Sequence, residues 1–294
     1  MKIKTSMSRK IFVVFNTIVL TLLAVSCIVP FINVIAISFS DQISVTSGQV
    51  SFWPKNFTLA SYKYILQRSA FWQAFVIAIE RTVLGTIVNL VLIILTAYPL
   101  SKSNDKLLGR SVYAWFFFLC MLVSGGLIPS YILISSLGLK NTIWALILPV
   151  GMPAFNLVLM LNFFRQVPNE LEEAALVDGA GHLRILVQIY LPVSIPSIAT
   201  ITLFCMVNHW NSWFDGLLYI NKPNLMPLQT YLRNAILTIS ASAATQMDPE
   251  MMKFTSDRAL KCAQVIISCI PILCVYPFLQ RFFVTGLVLG GVKG

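Results

Sequence analysis

Few side chains in this chain are equipped for chemistry: two histidines, six cysteines and eleven acids among 294 residues. Their spacing excludes most enzymatic uses. No Gly-x-x-x-x-Gly-Lys-Ser/Thr occurs to cradle a phosphate, no His-Glu-x-x-His to hold zinc, and no serine sits in a nucleophile elbow. His182 and His209 fall on different elements, and the cysteines lie in or beside apolar segments without a Cys-x-x-Cys, as small hydrophobes do. No catalytic residue and no metal site is expected.

The polar residues that do cluster lie between Arg165 and Pro192. Asn169 reads as an N-cap, with Glu172 three residues on to close a capping box. Glu170, Glu172 and Glu173 crowd a first helical turn, where carboxylates suit the positive end of the helix dipole. Asp178-Gly179-Ala180-Gly181 stops that helix, because glycine reaches the left-handed conformation. A second helix is predicted from about His182 to Tyr190, with Leu191-Pro192 turning the chain back. The residues alone leave two readings open: a docking element for another protein, or an amphipathic loop resting on a membrane with its acids solvated.

The elements around this insert are apolar. Charged residues make up 11% of the chain and hydrophobic ones 57%, with a mean hydropathy of +0.80. A soluble domain carries about 25% charged residues. The net charge of +10 comes with no basic stripe interleaved with aromatics, so no nucleic-acid partner is expected. Six spans are predicted: Ile11–Ser38, Thr82–Leu100 with Phe71–Ile79 before it, Ser111–Ser135, Ile143–Phe164, Ser194–Phe214 and Cys262–Gln280. The first is too long for a cleaved signal. Ser124-Gly125-Gly126 with Pro129, and Pro149, Gly151 and Pro153, interrupt two of the others. Glu80-Arg81 reads as lying at an interface, or else as paired with other helices. Lys2, Lys4, Arg9 and Lys10 place the N-terminus in the cytosol, and with it the 101–110 loop, the 165–192 insert and the C-terminus.

At the end of the fifth span, Asn208, Asn211, Ser212 and Asp215 recur at helical spacing beside His209, Trp210, Trp213 and Phe214. Polar groups at that depth face a bundle interior or water, and indole rings suit the apolar faces of sugars. An interfacial aromatic belt explains the same residues equally well.

Glu173-Ala174-Ala175, three residues, Gly179, nine residues, Ile189, one residue and Leu191-Pro192 together resemble the EAA loop of bacterial ABC-importer membrane subunits. Ser124–Pro129, His209–Phe214 and the ending from Gln280 to Gly294 resemble its carbohydrate branch, the MalG/LplC-like permeases. The resemblance implies an all-α integral membrane protein of six transmembrane helices, a type-I ABC importer (MetI-like) permease fold with a cytosolic coupling helix. It implies residues 1–70 as a first span and external loop, 71–283 as the transmembrane core with an external loop at 215–261, and 284–294 as a cytosolic tail. It assigns ATPase coupling to Glu172, Glu173, Ala174, Ala175, Asp178, Gly179, Ala180, Leu191 and Pro192, and ATPase contact to Gly286, Gly290, Gly291 and Lys293. Substrate-path residues would be Asn208, His209, Trp210, Asn211, Trp213 and Asp215. Implied partners are a second homologous permease, a dimeric ABC ATPase carrying ATP and magnesium, an extracytoplasmic solute-binding protein, a sugar and the lipid bilayer, in a bacterial cell membrane. The chain itself would hold no cofactor. A non-sugar solute, a secondary transporter or channel, and a membrane enzyme are the rival readings.

Overall fold

The computed structural model describes residues 7–234 and 257–290, with side chains as far as Phe278 in the last helix. Every regular element among the described residues is helical. The chain divides into two units, residues 1–69 with 234–269 and residues 70–233 with 270–294.

In the first unit, helix α1 (Met7–Ser38) is apolar on every face and buries only Ala36, Ile37 and Ser38. A helix apolar all round is suited to lipid rather than to water. The segment after it holds two short helices, α2 (Gln42–Thr46) and α3 (Ala60–Leu66). Asp41 caps α2 by accepting from the Ser44 amide at 3.1 Å. Phe39 stacks on Tyr62 and Phe57, with ring centres 4.8 and 5.5 Å apart.

The second unit is built on α4 (Ser69–Ser101), one unbroken helix of 33 residues rather than a short apolar piece and a separate span. Its inward face recurs at three- and four-residue steps through Phe71, Ala74, Ala78, Arg81, Gly85, Asn89, Ile93 and Ala97. After the 102–109 loop, α5 (Arg110–Leu122) and α6 (Leu127–Ser136) meet at a 112° bend, where Gly126 takes φ +84°. The segment Trp144–Val150, which opens with α7 (Trp144–Ile147), and α8 (Ala154–Phe164) meet at 52° across Gly151-Met152-Pro153. Both breaks fall where glycine and proline predicted them.

The insert follows as α9 (Asn169–Val177), then one helical run made of α10 (His182–Ile185), a π turn at Leu186–Tyr190 and α11 (Leu191–Val193). Helix α12 (Ile195–Asn211) leaves that run at 84°, and α13 (Phe214–Tyr219) follows a break at Ser212-Trp213. The last helix, α14 (Asp257–Gly290), extends past the predicted end of the sixth span and takes Thr285–Gly290 into the helix. Of the expected tail residues, Gly286 and Gly290 are therefore helical, and Gly291 and Lys293 lie outside the described residues. The polar stretch at Asp248, Glu250 and Lys253 also lies outside them. Among the described residues, three helices are long and apolar enough to cross a bilayer, and up to six if each bent pair is one span.

Candidate functional site

Helix α9 starts at Asn169, so Pro168 occupies the cap position and offers no side-chain acceptor to the first turn. This corrects the capping box: Glu172 does not reach back to its own helix start. Its carboxylate turns inward and is 1% exposed. Glu172 Oε2 accepts from Lys102 Nζ at 2.7 Å and from the Tyr190 hydroxyl at 2.9 Å. Lys102 Nζ also donates to the Tyr190 oxygen at 2.9 Å and sits 4.0 and 4.1 Å from the ring centres of Tyr98 and Tyr190. Lys106 Nζ stands 3.6 Å from Glu172 Oε1. One turn back along α4, the Tyr98 hydroxyl lies 3.3 Å from His182 Nδ1.

Burial raises the Glu172 carboxyl, but the hydrogen bonds from Lys102 and Tyr190 and the charges of Lys102 and Lys106 outweigh it and hold it below its ordinary 4.5. Burial also lowers the Lys102 ammonium from 10.5, against the pull of Glu172. The Tyr190 hydroxyl is raised by burial and then by the carboxylate it faces. A cleft of about 500 Å³ opens beside this knot, lined by Lys106, Arg110, Arg165, Asn169 and Glu173 among others.

Gly179 takes φ +77°, and the bonds Ala180 N to Ala175 O (2.9 Å) and Gly179 N to Leu176 O (3.0 Å) close a Schellman stop at the predicted residue. Asp178 is the helix C-cap. Glu173 and Ala174 face outward, whereas Ala175 and Ala180 pack against the core. Val177 is 88% and Leu183 73% exposed, so the tip of the insert presents an apolar surface. Leu191-Pro192 does not turn the chain. Leu191 is helical, and the bend comes at Ser194, with φ −97° and ψ 12°. Proline at 192 cannot donate to the carbonyl four residues earlier, and the π turn before it absorbs the lost bond.

A second polar knot lies on the inward face of α4. Arg81, 1% exposed, donates from Nη1 to Ser212 O and to Asp215 Oδ1, both at 3.1 Å, and its Nη2 also pairs with Asp215. The interface reading of Arg81 is thus corrected, while its neighbour Glu80 is exposed. Asp215 Oδ1 further accepts from Ser212 Oγ and from the Gly216 amide, each at 2.9 Å. His209 Nε2 lies 3.3 Å from Asn89 Oδ1, against Gly85.

The residues expected along a substrate path are not on one helical face, because α12 ends at Asn211 and Ser212 is extended. Asn208 and Asn211 are exposed, His209 and Trp210 are buried, and Trp213 is half-buried beneath the Arg233 guanidinium at 3.6 Å. Lys102, Tyr98 and Tyr190 were not singled out by the sequence. The signal available was a lysine directly after a long apolar helix and a tyrosine just before the Leu-Pro pair.

Bent apolar helices and a polar insert tied inward to them are the features of a membrane-embedded chain. A family model described as binding-protein-dependent transport system inner membrane component matches residues 4–289, and the chain belongs to that family. It is 40% identical over 285 residues to protein LplC of Bacillus subtilis, covering 97% of this chain and 96% of that one. It is 38% identical to the polygalacturonan/rhamnogalacturonan transport system permease protein YtcP of the same organism, covering 94% and 96%. Among solved structures, a bacterial ABC transporter involved in import of the acidic polysaccharide alginate matches with a TM-score of 0.85 and 30% identity, over 96% of this chain and all of that one.

Proposed function

We propose that this chain is one permease subunit of an ATP-driven importer of oligosaccharides or polysaccharide fragments, and that the 165–192 insert couples it to a separate dimeric ATPase. The observation that carries this reading is the insert itself. It has a rigid start, a glycine stop and an inward ionic anchor, and it leaves Glu173, Ala174, Val177 and Leu183 facing out. A stiff element passes on a partner's motion that a loose loop would absorb.

On this reading the bent pairs count as spans, giving six, with both termini and the insert in the cytosol of a bacterial cell. Residues 71–283 form the transport core with a second homologous permease, an external binding protein delivers the solute, and ATP and magnesium sit on the ATPase. The carbohydrate class is supported by what YtcP and the alginate importer are named for. Asn208, Asn211 and Trp213 are the residues of the expected path with surface to offer a sugar. A secondary transporter would need ion-coupling acids within its spans; of the two acids nearest to that role, Asp215 is paired with Arg81 and Glu80 faces outward from α4. Purification of the chain with its neighbouring gene products tests the reading: an ATPase that co-purifies with wild type and is lost with Val177→Trp supports it, and a chain that transports alone overturns it.

A further inference from the structure

Glu172 Oε2 is a single atom at which three separate stretches of chain converge. Lys102 follows directly on α4, its amide still bonded to Pro99 O at 3.2 Å, so the ammonium reports the position of that helix. Glu172 rides on α9, and Tyr190 closes the π turn that leads toward α12. Tyr98 to His182 adds a second tie between α4 and the insert one turn away. The chain by itself connects the insert only to α8 and α12. Without these ties α4, the longest helix of its unit, would receive no polar hold from the insert.

Packing alone would fasten the helices without ionic groups, and burying an ammonium and a carboxylate carries a desolvation cost that an apolar trio avoids. What the ionic knot adds is direction. Lys102 meets one carboxylate oxygen, is boxed by the faces of two tyrosines, and tolerates little sliding. We infer that Lys102, Glu172 and Tyr190 form a latch that makes the insert and the end of α4 move as one body, so that a push on the insert reaches α4 directly. Lys102 is a positioning residue in this scheme, acting through Glu172. The inference rests on the coupling reading of the insert.

The experiment places spin labels at Leu108→Cys, in the 102–109 loop, and Glu170→Cys, on the insert, in a background with the native cysteines replaced. Both sites are exposed and outside the latch. The distance between them is measured in the assembled complex without nucleotide and with ATP trapped. In the otherwise native chain it should be the same in both states. In Lys102→Met it should broaden and shift with ATP, and uptake per ATP should fall about fivefold or more. A distance that already changes with ATP in the native chain overturns the latch, as does a Lys102→Met complex whose distance stays fixed. Should Lys102→Met fail to assemble, Tyr190→Phe decides by the same comparison, since it keeps the ring and removes only the hydroxyl. A native complex that contains no ATPase fails the coupling reading instead.

Discussion

Arg81 and Asp215, 134 residues apart in the chain, are bound to each other inside the helical unit, with Nη1 to Oδ1 at 3.1 Å and the guanidinium 1% exposed. The pair fastens the start of α13 to the middle of α4, and Ser212 O and Leu146 O accept further bonds from Nη1 and Nη2. Removing Asp215 leaves the Arg81 guanidinium charged and buried. Asp215→Ala should therefore cost about 3–5 kcal/mol, and the double variant Arg81→Met with Asp215→Leu should recover most of it. Thermal unfolding in detergent measures both. A single variant as stable as the native chain would show that the pair holds nothing.

Gly85 faces the His209 ring so closely that a Cβ there would lie 2.5 Å from Cε1 and Nε2. Helix propensity alone favours alanine by up to about 1 kcal/mol. His209 is buried with Nε2 against Asn89 Oδ1, so the ring must leave that contact for a Cβ to enter. The clash should win, and Gly85→Ala should lose about 1–3 kcal/mol in the same unfolding assay. An unchanged or raised melting temperature would mean that the ring moves freely.

The Glu172 carboxyl sits below its ordinary 4.5 in the folded protein. Its contribution is therefore complete above that value and is lost as pH falls through the folded one. Hydrogen-exchange protection of residues 169–177, once corrected for intrinsic exchange, should hold from about pH 7 down to the ordinary 4.5 and fall away only at more acid pH. Glu172→Gln should start lower and show no such drop. Protection that is flat with pH in the native chain would remove Glu172 as the anchor.

What the sequence made legible was local. The insert's first helix to within one residue of its start, the stop at Gly179 and the breaks at Gly126 and Gly151–Pro153 follow from residue types that act within a turn of themselves. Glu172 looked like a capping residue because its nearest partner in sequence was the helix start, and Lys102, 70 residues earlier, was invisible to that logic. Arg81 was misplaced for the same reason. Asp215 lay beyond the fifth span, and the break at Ser212-Trp213 that turns it toward Arg81 carries no glycine or proline to announce it. Pro192 misled in the opposite sense, since a helix already bound at Tyr190 continues through the proline and bends later, at Ser194.

Uptake of labelled oligosaccharide into proteoliposomes holding the whole complex tests the central claim most directly, with ATP or an ion gradient as the only energy source. The account predicts accumulation with ATP alone. It also predicts that Gly179→Pro, which destroys the left-handed stop at φ +77° between the insert's helices, leaves ATP hydrolysis running but abolishes accumulation. Accumulation driven by the gradient without ATP, or native uptake by the Gly179→Pro complex, would contradict it.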